Sequence, residues 1–159
     1  MTAPLPNLSV DVKLAQVIAS IESSNNPHCI RFEPRIYKEL DASGALASTL
    51  ESAISKANAC SDDGSTAHMI ASTSWGAYQI MGENLYSLGY GKSVADFLNS
   101  AADQLEYFAR FLASRKMELA TLKMLVDSVT ARTAFAVKYN GSSKYADVIL
   151  GRAHALGLV

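Results

Sequence analysis

The stretch SWGAYQIMG, residues 74–82, decides how the fold is interpreted, because it combines aromatic, amide and glycine residues in one short segment. Ser74 can act as an N-cap, and the segment predicts a helix that runs to about Leu88. Positions i, i+3, i+4 and i+7 share one face of such a helix, and they are occupied by Trp75, Tyr78, Gln79 and Gly82. This face suits either a helix packed into a core or one wall of a sugar-binding cleft, where an amide bonds to hydroxyls.

The length and composition indicate a globular chain. It has 159 residues, of which 49% are apolar and 18% are charged. A domain of this size buries about 68–70% of the surface of its unfolded chain. We therefore expect residues 1–159 to form one domain that needs no metal or disulfide framework. The net charge of -1 gives no reason to expect nucleic acid or an anionic membrane as a partner.

The first residues and the cysteines restrict the cellular setting. MTAPLPNLSV, residues 1–10, has no positively charged n-region and no apolar h-region, so we expect no secretory signal. The sequence contains no apolar run long enough for a membrane span. Cys29 and Cys60 are expected to be free and mostly buried thiols, although one disulfide is also possible. No spacing of the HExxH type and no Cys/His cluster predicts a metal site.

Hydrophobic spacing predicts a mainly α fold. The first helix should run from about Asp11 to Ser24, because an apolar stripe recurs through this segment at helical spacing. Further helices are predicted at about 34–40, 45–58, 74–88, from 101 onward, and at 117–126, 128–139 and 144–156. Breaks are predicted at 41–44, 60–66 and 89–93. At most a small hairpin or extended segment is expected, near 28–33 or 60–72.

Glu22 is the first candidate for chemistry. It follows Ile18 by four positions, so it should lie at the edge of the apolar face of the first helix. The helix macrodipole and partial burial both disfavour a negative charge there. A carboxyl that keeps its proton near neutral pH can act as a general acid. The same position also fits an ordinary surface acid at a helix end.

Glu33 is the second candidate carboxyl. It lies between Phe32 and Pro34, shortly after the first helix, and could face back toward Glu22. It also fits an acid that favours the positive end of the helix that Pro34 starts. His28 lies nearby in the sequence and could bind a substrate.

A third candidate segment is KYNGSSKYA, residues 138–146. Tyr139, Asn140 and Tyr145 surround a Gly-Ser-Ser turn, and a tyrosine hydroxyl here could hydrogen-bond to a catalytic carboxyl. The alternative is a helix-to-helix connection that uses ordinary turn residues.

Four segments in this order resemble the lysozyme-like superfamily, which includes goose-type lysozymes and soluble lytic transglycosylases. They are IESSNNP, RFEPRIY, SWGAYQIMG and YNGSSKYA. The resemblance is strongest to the N-acetylmuramidase domain of bacteriophage endolysins, which looks like VESSG, LFERH, SWGLGQIMG and YNGPxYA. It spans about residues 11–150, and SWGxxQIMG is its most specific element. It implies a mainly α, lysozyme-like catalytic domain.

The resemblance also implies roles for individual residues. Glu22 matches the catalytic general acid, and Glu33 matches the family's acidic residue after the first helix. Gln79 matches the cleft glutamine, Tyr139 the tyrosine that contacts the acid, and Asn140 the turn beside it. The expected substrate-binding set is Ser24, His28, Trp75, Tyr78, Gln79, Tyr139 and Asn140. No cofactor is implied.

Two departures from the family pattern bear on these roles. Arg35 and Ile36 follow FEP, where the family tends to show Arg-His directly after the glutamate. Ser142 stands where relatives often have proline. They bear on the role of Glu33 and on the details of substrate binding.

The implied activity is cleavage of the β-1,4 bond between N-acetylmuramic acid and N-acetylglucosamine in peptidoglycan. Glu22 would protonate the leaving oxygen, and water would attack an oxocarbenium-like ring. The glycan should lie in a groove between the first helix, the segment 74–88 and the YNG turn. One alternative is a lytic transglycosylase, in which the C6 hydroxyl attacks to give a 1,6-anhydro product. The others are a non-catalytic glycan-binding virion protein of the same fold and a plain helical adaptor.

The absence of a predicted signal fits a phage product, either an endolysin released through a holin or a muramidase carried in the virion. It would be made in the host cytoplasm and act on the cell wall in the periplasm. A toxin delivered by a secretion machine would look the same. The expected partner is the peptidoglycan glycan strand, bound by a monomer with no nucleic acid and no stable membrane insertion.

Overall fold

The computed structural model describes residues 9–43, 46–60 and 64–159, without the side chain of Ser43. These residues form ten helices and one small sheet, which confirms the mainly α fold. The helices are α1 Val12–Ser23, α2 Pro34–Ser43, α3 Ser48–Asn58, α4 Ser65–Ala71, α5 Gly82–Ser87, α6 Val94–Leu98, α7 Ala101–Ser114, α8 Leu122–Asp127, α9 Val129–Asn140 and α10 Tyr145–Ala155. The strands are β1 Ile30–Phe32, β2 Thr73–Trp75 and β3 Ile80–Met81.

The chain divides into two compact units. Unit 1 contains the described residues up to Asn25 together with Phe108–Val159, and unit 2 contains Asn26–Tyr107. The single domain expected over residues 1–159 stays a prediction. Within the described ranges, none of the helices combines the length and the apolar character that a bilayer crossing requires.

Most helices predicted from hydrophobic spacing are confirmed, with ends that differ by a few residues. The predictions at 11–24, 34–40, 45–58, from 101, at 128–139 and at 144–156 correspond to α1, α2, α3, α7, α9 and α10. The break predicted at 41–44 is wrong for 41–43, where α2 continues, since Asp and Ala can both be accommodated in a helix. Residues 1–8, 44–45 and 61–63 lie outside the described residues. The predictions for the signal at positions 1–8, for position 44 of this break and for positions 61–63 of the loop 60–66 therefore fall outside them as well.

Helix α1 shows why the first helix was predictable. The side chain of Asp11 caps it by accepting a hydrogen bond from Leu14 N at 2.7 Å. Its apolar stripe is buried, with Leu14, Val17 and Ile18 fully shielded from solvent. In unit 1, α10 packs against both α1 and α9. The helix therefore forms because capping, helical spacing and burial all favour the same segment.

Helix α8 begins later than predicted, because the segment before it turns back. Lys116 has a left-handed φ of 56°, and the Thr121 side chain caps the helix by accepting from Met124 N. The buried Arg132 of α9 donates from Nη1 to the carbonyls of Leu125 and Val126. Satisfying the last carbonyls of α8 in this way joins it to α9.

The helix predicted at 74–88 is wrong for 74–81 and confirmed for 82–87. Residues 73–81 form β2, a tight turn and β3, and a helix follows only at α5. The sheet is antiparallel in the order β1-β2-β3. Gly76 and Gln79 have left-handed φ values of 75° and 49°, which no helix accommodates. The helical spacing of the aromatic and amide residues in this segment is therefore coincidental.

Gln104 holds this turn in place. Its side chain is only 1% exposed. Oε1 accepts a hydrogen bond from Ala77 N at 2.8 Å, while Nε2 donates to the carbonyls of Pro27, Phe97 and Leu98. One buried amide thus satisfies backbone groups from three separate segments of unit 2.

Two short helices of unit 2 were not predicted. Helix α4 forms within the segment expected to be loop or extended, where it packs against α2, α3 and α5. Helix α6 has a capping box, in which Ser93 and Asp96 each accept from the backbone N–H of the other. Both are too short to show a clear hydrophobic period, so packing and capping determine them.

We expect Gly82→Ala to destabilise the protein by about 1–3 kcal/mol, the usual penalty of an overpacked site. A Cβ at this position would lie 2.0 Å from the carbonyl oxygen of Ile70 and 3.1 Å from Nε1 of Trp75. Urea unfolding measures the change. The matched control is Gly151→Ala in α10, where a Cβ meets no atom within 4 Å and a gain of about 0.5–1 kcal/mol is expected. Equal unfolding midpoints for Gly82→Ala and wild type would contradict the packing described for this hairpin.

Candidate functional site

Glu22 lies in the last turn of α1, half-buried. The helix ends immediately after it, because Ser24 and Asn25 both adopt left-handed backbone conformations. Asn25 N donates to the carbonyl of Ala19 at 3.0 Å and closes the helix end. The carboxyl is therefore presented at a fixed helix terminus.

The hydroxyl of Tyr145 donates a hydrogen bond to Oε1 of Glu22, with 2.5 Å between the oxygens. Tyr145 is the first residue of α10 and is 7% exposed. Burial raises the pKa of the Tyr145 hydroxyl, and the nearby Tyr139 and Glu22 raise it further. The hydroxyl therefore stays protonated near neutral pH and acts as a permanent donor to the carboxyl.

This contact adds Tyr145 to the tyrosine that the resemblance places at the acid, and the role expected for Tyr139 stays a prediction. Tyr145 reaches Glu22 because α10 begins at this residue and packs against α1. The Tyr139 ring, in the last turn of α9, stacks on Tyr145 with 5.8 Å between centroids and on Phe135 at 5.6 Å. Tyr145 was visible in YNGSSKYA, and its position at the start of a helix that packs on α1 is the signal that identifies it.

The YNG turn is confirmed as a turn. Gly141 ends α9 with a φ of 80° and donates its N–H to the carbonyl of Val137 at 2.9 Å. A left-handed helix end of this kind favours glycine. Asn140 is exposed at the end of α9, and Ser24 is exposed at the end of α1. Both side chains are accessible to a ligand in unit 1.

Glu33 belongs to unit 2, where it directly precedes α2. Its N–H donates to the carbonyl of Ser72, and its own carbonyl accepts from Tyr37 N. The carboxylate pairs with Nε of Arg31 at 2.6 Å, and 32% of the Glu33 side chain is exposed. The ion pair fixes one carboxylate oxygen and leaves part of the side chain open to solvent.

Gln79 lies inside the turn between β2 and β3 and is 8% exposed. Nε2 donates to the carbonyls of Gly76 at 2.9 Å and Cys29 at 3.2 Å, which fixes the orientation of the amide. Oε1 is buried and accepts no hydrogen bond from the described residues. The amide N–H groups that were expected to face sugars are thus used to hold the turn.

The other predicted contacts of unit 2 differ in accessibility. Trp75 is 9% exposed, and its indole N–H donates to the carbonyl of Ile70 at 3.1 Å. Tyr78 is half-buried, and burial raises the pKa of its hydroxyl. His28 is exposed, with its backbone N–H bonded to the Asn26 side chain. Tyr78 and His28 can meet a ligand directly, whereas Trp75 is packed into unit 2.

The two cysteines are not joined by a disulfide. Cys29 and Cys60 are both half-buried thiols rather than mostly buried ones. Among the residues that the structure describes, no group of three or more His, Cys, Asp or Glu side chains is placed to hold a metal ion.

Comparisons with known proteins identify the family. The sequence model of the muramidase family, described as N-acetylmuramidase, matches residues 50–155. This range includes the turn at Gln79 and the helix of Tyr145, and it begins after Glu22 and Glu33. An endolysin of Enterobacteria phage PRD1 is 39% identical over 146 residues, which cover 91% of this chain and 97% of that protein. No solved structure matches the chain. With most of its length matched by both comparisons, the chain belongs to the N-acetylmuramidase family.

Proposed function

We propose that this chain is a peptidoglycan-degrading N-acetylmuramidase that hydrolyses the β-1,4 bond between N-acetylmuramic acid and N-acetylglucosamine. Its membership of the family and its similarity to a phage endolysin support the substrate class. The observation that carries the assignment of the acid is the hydrogen bond from Tyr145 to Glu22. It gives one carboxyl of the chain a fixed position and a permanent donor.

The geometry suits Glu22 to general acid catalysis. Tyr145 holds Oε1, so Oε2 is the oxygen that delivers the proton to the glycosidic oxygen. Breaking the bond to C1 of muramic acid releases the 4-hydroxyl of N-acetylglucosamine and leaves an oxocarbenium-like ring. The Glu22 carboxylate that remains is stabilised by the Tyr145 hydroxyl, because a hydrogen bond to an ionised acceptor is stronger than one to a neutral acceptor. Water then adds to C1 and leaves a reducing muramic acid end.

The ion pair and partial exposure of Glu33 support a role in activating water. Arg31 orients one carboxylate oxygen, and we assign the other to accept a proton from the attacking water. The rival mechanism is that of a lytic transglycosylase, in which Glu22 acts first as acid and then as base while the C6 hydroxyl attacks C1. The bond to Tyr145 serves either mechanism. Only hydrolysis requires a group that activates water.

Substrate contacts are assigned by accessibility. Ser24 and Asn140 in unit 1, and His28 and Tyr78 in unit 2, present accessible side chains, and we propose that they contact sugars directly. Trp75, Gln79 and Tyr139 act by shaping the walls that the sugars meet, since Trp75 and Gln79 donate to backbone carbonyls and Tyr139 stacks on other rings. The protein works as a monomer, released to the cell wall as an endolysin or carried in a virion.

Glu22→Gln should abolish release of soluble muropeptides from purified peptidoglycan, with a loss of about 10²–10⁴-fold, the contribution of a positioned general acid. Mass spectrometry of the wild-type products gives the mechanism. Reducing muramic acid ends support hydrolysis, and products lighter by one water would establish the transglycosylase. If the wild type releases nothing, the proposed activity is wrong, and a glycan-binding role becomes the better explanation.

Tyr145→Phe should lower kcat about tenfold to a hundredfold, because a hydrogen bond to a charged group contributes about 1.5–3 kcal/mol and 1.4 kcal/mol corresponds to tenfold. The parallel variant Tyr139→Phe keeps its ring stacking and measures the role that the resemblance gives to the Tyr139 hydroxyl. Steady-state rates on soluble glycan strands measure both, and thermal unfolding checks that both variants are folded. A larger loss for Tyr139→Phe than for Tyr145→Phe would reverse the assignment.

The variant Glu33→Gln gives a second test between hydrolysis and the transglycosylase mechanism. If Glu33 activates water, the variant should lose about 10²–10⁴-fold in kcat, the range for a general base. Arg31→Gln, which leaves the carboxylate but removes its orienting partner, should lose less. Full activity of Glu33→Gln with the wild-type product would exclude the role assigned to Glu33.

A further inference from the structure

An uncharged groove of about 280 Å³ lies on the surface of unit 2. Of the site residues assigned above, it includes Trp75 alone. Ile30 and Phe32 of β1 form one side of it and are 54% and 44% exposed. Met69 of α4 is 52% exposed on the other side. The remaining lining residues are Thr66, Ile70, Thr73 and Trp75. Three large apolar side chains are thus exposed around one depression, which is the usual mark of a binding surface.

The outer edge of β1 adds hydrogen-bonding groups to this groove. Cys29 accepts from Gly76 N, and Glu33 donates to Ser72, so these positions face β2. In an antiparallel pair, such positions alternate with ones whose backbone groups point away. Ile30 and Phe32 are the alternate positions, and β1 is an edge strand of the sheet. Their N–H and C=O groups therefore point outward along the edge, where no other described strand pairs with them.

This combination selects the chemistry of the ligand. A row of outward N–H and C=O groups binds an extended peptide as an added strand. The lining has no charged side chain, and its polar side-chain groups are two threonine hydroxyls and the indole N–H of Trp75, which donates to Ile70. One of these, Thr73 Oγ1, already donates to the carbonyl of Met69 at 2.6 Å. The groove therefore suits backbone amides and small apolar side chains better than the hydroxyl groups of a sugar.

We propose that this groove binds the peptide portion of peptidoglycan, the short chain attached to the lactyl group of muramic acid. This inference rests on the proposed function, because the glycan substrate is what brings the peptide to the enzyme. The lactyl amide and the first residue of the peptide, an alanine, bond to the outward backbone groups of Ile30 and Phe32, and the alanine methyl group contacts Met69. Its binding makes peptide-bearing glycan a better substrate than bare glycan.

The first test compares two substrates that differ only in the peptide. Glycan strands from uncrosslinked peptidoglycan are used intact or after an amidase has removed their peptides. The wild type should have the higher kcat/KM on the intact strands. Ile30→Ser and Met69→Ser, which alter opposite sides of the groove, should each lower kcat/KM about tenfold on intact strands and leave it unchanged on stripped strands. The factor corresponds to a contact of about 1.4 kcal/mol.

The matched control is Val129→Ser, which removes an apolar side chain that is 69% exposed in unit 1. It should change neither rate. Equal rates of the wild type on both substrates would overturn the proposal. Equal losses of Ile30→Ser on intact and stripped strands would also overturn it, because the groove would then hold sugar.

Direct binding separates this inference from the proposed activity. Muramyl dipeptide is titrated into ¹⁵N-labelled Glu22→Gln protein, with N-acetylmuramic acid as the peptide-free control. Amide shifts at Ile30 and Phe32 that appear with the dipeptide and not with N-acetylmuramic acid support peptide binding in the groove. If the wild type cleaves neither substrate but these shifts appear, only the proposed activity is wrong. Active wild type with no such shifts refutes the groove and leaves the activity intact. Shifts that depend on protein concentration without ligand would instead assign this edge to a second copy of the chain.

Discussion

The buried amide of Gln104 is the interaction on which unit 2 depends. It bonds to the turn after β2, to the carbonyl of Pro27 before β1, and to two carbonyls at the end of α6. Ala77 N and the carbonyls of Pro27 and Leu98 would lose this partner if the side chain were absent, and each buried group left unsatisfied costs about 1–3 kcal/mol. One side chain from a distant helix therefore stabilises the turn around Gly76 together with the segments that precede β1 and end α6. A Cβ at Gly76 would lie 2.7 Å from Oε1 of Gln104, so the glycine and the glutamine require each other.

In unit 1, the ends of two helices position the carboxyl group of Glu22. Helix α1 ends at Ser23, one residue after Glu22, and two left-handed residues follow. Helix α10 starts with the tyrosine that bonds to Glu22. Both partners thus stand at helix termini, where the backbone is fixed by packing on one side and the side chain extends beyond the helix. The ring of Tyr139 stacks on Tyr145 and restricts its rotation. A carboxyl held in this way loses little conformational freedom on binding a substrate.

The sequence predicted those parts of the fold that local rules determine. Helix α1 was predictable because Asp11, a cap, precedes an apolar stripe at helical spacing. The helix predicted from Ser74 was wrong because the left-handed turn at Gly76 depends on Gln104, whose contact with Ala77 spans 27 positions and leaves no local signal. In the site, Glu22 was identified by its place at a helix end and by the family resemblance. Tyr145 was not included among the expected site residues, because its contact with Glu22 depends on the packing of α10 against α1.

The carbonyl of Cys29 links the turn to the edge of the sheet. It accepts hydrogen bonds from both Gly76 N and Nε2 of Gln79, so the side chain that closes the turn also fixes the register of β1 on β2. A shift of one residue would exchange the two faces of β1, as in any strand. Arg31 would then replace Ile30 and Phe32 at the groove, and the outward N–H and C=O groups would move with it. The register of β1 on β2 therefore has two consequences. It holds Gln79 inside the turn, and it places the apolar side chains and the outward backbone groups of Ile30 and Phe32 at the same edge.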